Sequence, residues 1–399
     1  MNATRSQTVT VIALCFLTIL LDGYDTSVLS YVAPTLAHDW AVGPAAFTPA
    51  FVATSLGAVI GYIFCGPLAA RFGHKRLMAV SVGFFGVMSL ASLLATNVTE
   101  MTGLRFVTAL GLGGAIPTAI ALASEYASGR RRELVAALVT VAIVIGGTLG
   151  GIVAGPLLRG WGWQGPFVLG AVLPVLLAVA LAAGLPDTRL ARKSGTSPRQ
   201  LFAGGLGWPT ALLWAMAFLS FMQTYSFTYF LPLLMTSFGV DRAGAALGST
   251  YIGSGGIAGV ALMLVCVQWT GSPRYLAMAF TVGACFVLVL AFGGLGNAAV
   301  PWLLFLIGAG LTIGGTGQAA IGALLYPAEL RTTGIGWSSA MGRVGSIVGP
   351  GITGAFLALH WPATEVIALA AIPAFAAAIA AFAIHRLARR RALLGAAHA

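Results

Sequence analysis

The sequence predicts an all-α membrane protein with twelve transmembrane helices in two six-helix bundles. Three observations predict it. The 399 residues are 58% hydrophobic and only 8% charged, with a mean hydropathy of +0.94, whereas a soluble domain carries about 25% charged residues. Uncharged apolar runs recur along the chain at membrane-spanning length, about 20 residues for a helix. A single long polar connection near the middle separates six such runs from six more. The 53 glycines suit close helix packing in lipid.

In order, the expected spans are 9–36, 47–69, 77–96, 100–126, 133–157, 163–185, 208–238, 244–268, 274–295, 299–326, 332–358 and 363–385. All are helical by length and continuity, because barrel strands would be about 10 residues long with alternating polarity. The domains follow as an N-terminal bundle over 1–185, a linker over 186–207, and a C-terminal bundle over 208–399 ending in a short basic tail. The halves share a weak repeat. Arg71-Phe-Gly73-His-Lys75-Arg76 after the second span is matched by Trp269-Thr-Gly271-Ser-Pro-Arg274 after the eighth. Ser124-Glu125 followed by Arg130 to Arg132 is matched by Ala328-Glu329 followed by Arg331. Two repeats of this kind are what an alternating-access carrier needs, one bundle rocking against the other about a central site.

The net charge of +11 is a topology signal. Of the 21 cationic residues, 17 fall on the side of the N-terminus, two on the opposite side (Arg159 and Arg242) and two within spans (Arg105 and Arg343). Such a bias places both termini in the cytoplasm and removes the case for a nucleic-acid surface. Cys15, Cys65, Cys266 and Cys285 all lie in apolar spans, and no Cys-x-x-Cys or Cys/His cluster occurs. Neither a disulfide framework nor a metal site is expected. The N-terminus lacks a signal-peptide pattern. No Gly-x4-Gly-Lys-Ser/Thr phosphate loop is present, and the chain has two lysines, so ATP hydrolysis by that route is excluded. No cofactor and no catalytic residue are expected.

The chemistry concentrates on a few buried charges. Asp22 and Asp25 sit in the middle of the first span, where one Asp costs roughly 2.5–3.5 kcal/mol on insertion scales. Residues three apart share a helix face, so both must face protein or a watery cavity. Desolvation favours the neutral form of a carboxyl group, which makes Asp22 and Asp25 the expected proton-coupling residues. Arg105 and Arg343 have two competing explanations. Either each is paired permanently with a carboxylate, or at least one is available to hold an anionic substrate through the guanidinium fork. Arg343 lies 12 residues beyond Arg331, roughly 18 Å along a helix and close to the bilayer midplane. A carboxylate held there is expected to lie across a cavity from Asp22 and Asp25. Gln223 and Tyr225 on the seventh span, among Phe221, Phe227, Tyr229 and Phe230, are candidates to contact a planar ligand. Gln318, after Gly314-Gly315-Thr316-Gly317, is a further polar candidate. The run Gly146-Gly147-x-x-Gly150-Gly151-x3-Gly155-Pro156 on the fifth span is read first as helix packing.

These residues resemble the major facilitator superfamily. Gly66-Pro-Leu-Ala-Ala-Arg71-Phe-Gly73-His-Lys75-Arg76 is similar to its signature between the second and third helices. Within it, three motifs resemble the aromatic acid:proton symporter family. They are Asp22-Gly-Tyr-Asp25, Arg105-Phe-x4-Gly111-Leu-Gly-Gly-x2-Pro117-x7-Glu125, and Tyr326-Pro-Ala-Glu-Leu-Arg331 continuing to Gly342-Arg343-x2-Gly345-x4-Pro350. The resemblance implies import of benzoate-, hydroxybenzoate- or phenylpropionate-like anions by proton symport, with Asp22, Asp25, Arg105, Glu125 and Arg343 as functional positions. It also implies a cytoplasmic gate built from Arg71, Lys75, Arg76, Glu125, Arg130, Glu329 and Arg331. The superfamily signature has Asp where this chain has Ala70, and Glu125 and Glu329 are expected to compensate through Arg71, Arg130 or Arg331. The expected partners are a small aromatic carboxylate, protons and the lipid bilayer, for a monomer in the inner (plasma) membrane. Two alternatives stay open: a proton-driven efflux antiporter for drugs or metabolites, and a non-transporting sensor on a transporter fold.

Overall fold

The computed structural model describes residues 5–126, 131–185, 198–237, 239–294 and 297–396. Among them the regular structure is helical, with no strand. The helices are α1 (Arg5–Asp39), α2 (Thr48–Phe72), α3 (His74–Ala91), α4 (Val98–Tyr126), α5 (Arg131–Trp161), α6 (Gln164–Gly184), α7 (Gly207–Ser237), α8 (Arg242–Thr270), α9 (Ser272–Phe292), α10 (Val300–Leu311), α11 (Gly314–Leu325), α12 (Ala328–Ala358), α13 (Ala363–Leu369) and α14 (Ala371–Ala396).

Two expected spans differ in detail. The run at 299–326 is two helices, α10 and α11, interrupted at Thr312 and Ile313 within a glycine-rich stretch. The run at 363–385 is likewise α13 and α14, interrupted at Ala370. Among the described residues, ten stretches are long and apolar enough to cross a membrane. The α7 and α12 helices stand outside that set although each has 31 residues. They carry the polar side chains, Gln223, Ser226 and Thr228 on one and Ser338, Ser339, Arg343 and Ser346 on the other. The protein is a multi-pass membrane protein.

The chain packs as two compact units. One comprises Met1–Arg192 with Thr228–Thr250, the other Lys193–Phe227 with Tyr251–Ala399. In the first unit α1 packs on α4, α5 and α6, and α2 on α4. Its core is Val11, Cys15 and Ile19 of α1 against Met78, Val82 and Phe85 of α3 and Leu112, Ile116 and Leu122 of α4. The segment Thr228–Thr250 joins this unit through aromatic stacking and a hydrogen bond. The Phe51 and Tyr229 rings stack at 4.8 Å, and Thr250 Oγ1 donates to the Thr148 carbonyl at 3.2 Å. In the second unit α9 packs on α10, α11, α13 and α14, and α11 on α12.

The weak sequence repeat is a repeat of packing. In the first unit Gly57 and Gly61 of α2 face the carbonyls of Phe106 and Leu110, so closely that a Cβ would overlap them. In the second, Gly255 and Gly259 of α8 face Phe305 and Ala309 in the same way. Gly146 and Gly150 of α5 abut Leu20 and Tyr24 of α1, as Gly345 and Gly349 of α12 abut Phe218 and Met222 of α7. Gly111 meets Ser81 and Gly310 meets Ala279. The offset is 198 or 199 residues throughout. The helix junctions repeat as well. Gly73, between α2 and α3, has φ 86° and ψ 153°, and Gly271, between α8 and α9, has φ 75° and ψ 148°, a conformation that is essentially glycine-only.

Candidate functional site

In the first unit the centre of α1 carries the charge. Asp25 is fully buried, and Arg105 on α4 is 0% exposed. Arg105 Nη2 bonds Asp25 Oδ2 at 2.9 Å and the Asp25 backbone carbonyl at 2.8 Å, and Nη1 reaches Oδ1 at 3.3 Å. Ser89 Oγ on α3 donates to Asp25 Oδ1 at 3.0 Å. One carboxylate is thus held by a guanidinium fork and a hydroxyl from two other helices. Such a pair tolerates burial because each charge is matched and hydrogen-bonded, and removing one partner exposes the cost of the other. The α1 helix is fixed around this point by Tyr24, whose hydroxyl donates to the Pro166 carbonyl at 2.8 Å, and by Gly146, which lets the α5 backbone approach Leu20. Asp22, one turn earlier, is 2% exposed and accepts from Thr26 Oγ1 at 3.2 Å.

In the second unit α7, α11 and α12 converge on a different chemistry. Arg343 of α12 is half-buried, and its Nη1 donates to the Tyr225 hydroxyl of α7 at 3.0 Å. The Tyr225 ring stacks with Phe221 one turn earlier, centroids 6.0 Å apart and planes 20° apart. Phe221 lies between two glycines, Gly342 of α12 and Gly315 of α11, whose added side chains would touch its ring. One turn along α11, Gln318 donates from Nε2 to Ser339 Oγ of α12 at 3.0 Å. A cation and two aromatic rings thus meet between α7 and α12, and an amide and a hydroxyl pair one turn away between α11 and α12. A guanidinium fork suits a carboxylate, and flat faces beside it suit a planar ring.

The expected residues fall into groups. Arg343 and Tyr225 come together, and Gln318 is held by Ser339, one turn from Arg343 on α12. Arg105 is gathered with Asp25, in an ion pair at 2.9 Å. Gln223 does not join Tyr225. Two residues apart on a helix, at about 100° per residue, they point to opposite sides of α7. Gln223 is 1% exposed, and neither amide atom has a hydrogen-bond partner among the described residues. The packing repeat explains its setting. Gln223 is the counterpart of Asp25, while the counterparts of Arg105 and Ser89 are Leu304 and Val287, both buried and apolar. Conversely Arg343, Tyr225 and Phe221 correspond to Val144, Ser27 and Gly23. Each unit therefore carries one of the two constellations.

Of the gate residues, Arg71, Arg76 and Arg331 are exposed and Lys75 is half-buried. The Arg71 guanidinium lies over the Phe72 ring at 5.2 Å. Arg130 and the side chains of Glu125 and Glu329 lie outside the described residues. Sequence reasoning missed Ser89 and Ser339, each a hydroxyl whose importance comes from the opposing helix. It also missed Gly342 as the residue that seats Phe221.

Comparison with known proteins follows the same lines. The family model described as Major Facilitator Superfamily matches residues 15–350. The 4-hydroxybenzoate transporter PcaK of Pseudomonas putida is 32% identical over 92% of this chain and 90% of that protein. The 3-(3-hydroxy-phenyl)propionate transporter of Escherichia coli (strain K12) is 32% identical over 96% of this chain and 95% of that protein. The crystal structure of the nucleoside transporter NupG superposes with a TM-score of 0.76 at 14% identity, covering 96% of this chain and 99% of that one. The match in sequence, over nearly the whole length, and the shared all-helical architecture lead to one conclusion: the chain belongs to the Major Facilitator Superfamily, whose members are membrane transporters rather than enzymes.

Proposed function

We propose that this chain is a secondary active transporter that imports an aromatic carboxylate together with a proton by alternating access. The observation that carries the reading is the Arg343 cluster, a half-buried guanidinium on Tyr225 with the Phe221 ring stacked beside it. In this reading the substrate carboxylate takes the fork of Arg343, its ring lies along Phe221 and Tyr225, and Gln318 supplies a polar contact. The printed substrates of the relatives, 4-hydroxybenzoate and 3-(3-hydroxy-phenyl)propionate, are aromatic carboxylates and support it.

The proton role belongs to Asp22 and Asp25. A protonated Asp25 no longer matches the charge of Arg105, so protonation loosens the tie between α1 and α4 and biases the conformational equilibrium of the carrier. Proton and substrate are then linked through that equilibrium, each altering the apparent affinity for the other by the same factor. Arg105 acts on Asp25 and not on the substrate. The proposal further places twelve spans in two bundles, 1–185 and 208–399, joined by a cytoplasmic linker at 186–207. The protein works as a monomer in the inner membrane with both termini in the cytoplasm. Arg71, Lys75, Arg76, Glu125, Arg130, Glu329 and Arg331 form the cytoplasmic gate in the absence of an acid at Ala70. Calorimetric titration of the purified protein with 4-hydroxybenzoate tests the anion site. Binding by the wild type and strongly weakened binding by Arg343→Lys, which keeps the charge and loses the fork, is the expected outcome; equal affinity in the two refutes it.

A further inference from the structure

Gln318 is 3% exposed, and its two amide atoms are treated unequally. Nε2 is held by Ser339 Oγ at 3.0 Å, whereas Oε1 is buried with no hydrogen-bond partner among the described residues. Buried polar groups are nearly always paired, and each exception needs an account in strain, a bound water or ion, or a ligand. The surroundings say what kind of partner.

The cluster on α7, α11 and α12 is arranged in three levels. Arg343 and Tyr225 make the first. Phe221, between Gly342 and Gly315, makes the second. Gln318 and Ser339 make the third. Ser339 and Arg343 are four residues apart on α12, about 6 Å along the axis. A benzene ring lying on Phe221 with its carboxylate on Arg343 directs its far edge toward Gln318. We propose that Gln318 reads a hydroxyl on the substrate ring, so the preferred ligand is a hydroxylated aromatic carboxylate with the hydroxyl meta or para to the acid group. An ortho hydroxyl stays beside Arg343 and does not reach the third level. A hydroxyl both donates and accepts. It therefore satisfies the unpartnered end of the amide whichever way round the oxygen and nitrogen are placed. A site built to hydrogen-bond a hydroxyl also disfavours the analogue that lacks one, because its buried polar atom is then left unpaired.

This inference rests on the Arg343 cluster being the carboxylate site, and the test separates the two. Equilibrium binding of 4-hydroxybenzoate, 2-hydroxybenzoate and benzoate is measured on the purified full chain. The wild type is expected to bind the para isomer roughly tenfold tighter than benzoate, with the ortho isomer close to benzoate. In Gln318→Leu and Gln318→Met the para preference falls to about one, while an unchanged size-exclusion profile and unfolding transition report an intact fold. Ser339→Ala leaves the amide in place, removes the bond that orients it, and shrinks the preference. A preference unchanged in these variants, or absent from the wild type, overturns the role of Gln318. Failure of the wild type to bind any of the three acids removes the anion site, and this inference with it.

Discussion

The Asp25–Arg105 pair permits a quantitative test. Both partners are fully buried, and the carboxylate receives the Arg105 fork and the Ser89 hydroxyl. Asp25→Asn leaves a guanidinium at 0% exposure without its counter-charge, and breaking a buried pair on one side costs about 3–5 kcal/mol. The double variant Asp25→Asn/Arg105→Gln replaces two charges by two amides and is expected to recover most of that loss. A neutral side-chain hydrogen bond inside a membrane protein averages about 0.6 kcal/mol. A coupling free energy above about 2 kcal/mol therefore identifies a charge interaction rather than a hydrogen bond. The assay is denaturant unfolding in mixed micelles, followed by tryptophan fluorescence, for the wild type, both single variants and the double variant. All variants that lack Asp25 lose proton-driven accumulation, including the double variant whose stability has recovered. Single-variant losses that add to within about 0.5 kcal/mol would refute the pairing argument.

Three further outcomes follow from the packing. Gln223→Met retains 4-hydroxybenzoate binding within about twofold and is at least as stable as the wild type, because an unpartnered buried amide is exchanged for an apolar side chain of similar length; calorimetry and unfolding check it, and a tenfold loss of binding contradicts it. Gly146→Ala places a Cβ on the Leu20 carbonyl and lowers the yield of folded protein severely, whereas Gly103→Ala, where nothing stands within 4 Å, leaves it unchanged; size-exclusion profiles compare the two. Ser89→Ala removes one of the hydrogen bonds to Asp25 and costs about 1 kcal/mol with the Arg105 pair intact, read in the same unfolding assay.

Much of this architecture was legible in the sequence because lipid permits so few solutions. A long uncharged run has to be a helix. Breaks within runs were less legible. Thr312 and Ile313 end α10 inside a stretch of unbroken hydropathy, and only the cluster of glycines marks it. That Thr228–Thr250 packs with the first unit through Phe51, Tyr229 and Thr148 was not legible for a similar reason: side-chain partners at that separation leave no trace in local pattern. Asp22, Asp25, Arg105 and Arg343 stood out because charge in an apolar span is expensive. That Arg105 belongs to Asp25, 80 residues away, needed coordinates. The separation of Gln223 from Tyr225 followed from helix geometry alone. The 198-residue repeat was visible at Gly73 and Gly271, but its extension to Asp25 and Gln223 emerged from which carbonyls the glycines face.

This chain is expected to move an aromatic carboxylate with a proton through a site centred on Arg343. Uptake of labelled 4-hydroxybenzoate into proteoliposomes, with and without an inward proton gradient, tests it most directly. The expected result is accumulation above equilibrium that requires the gradient, is abolished in Arg343→Lys and in Asp25→Asn, and is inhibited by other aromatic acids but not by acetate. Accumulation that ignores the gradient, gradient-driven extrusion instead of uptake, or normal uptake by Arg343→Lys would contradict it.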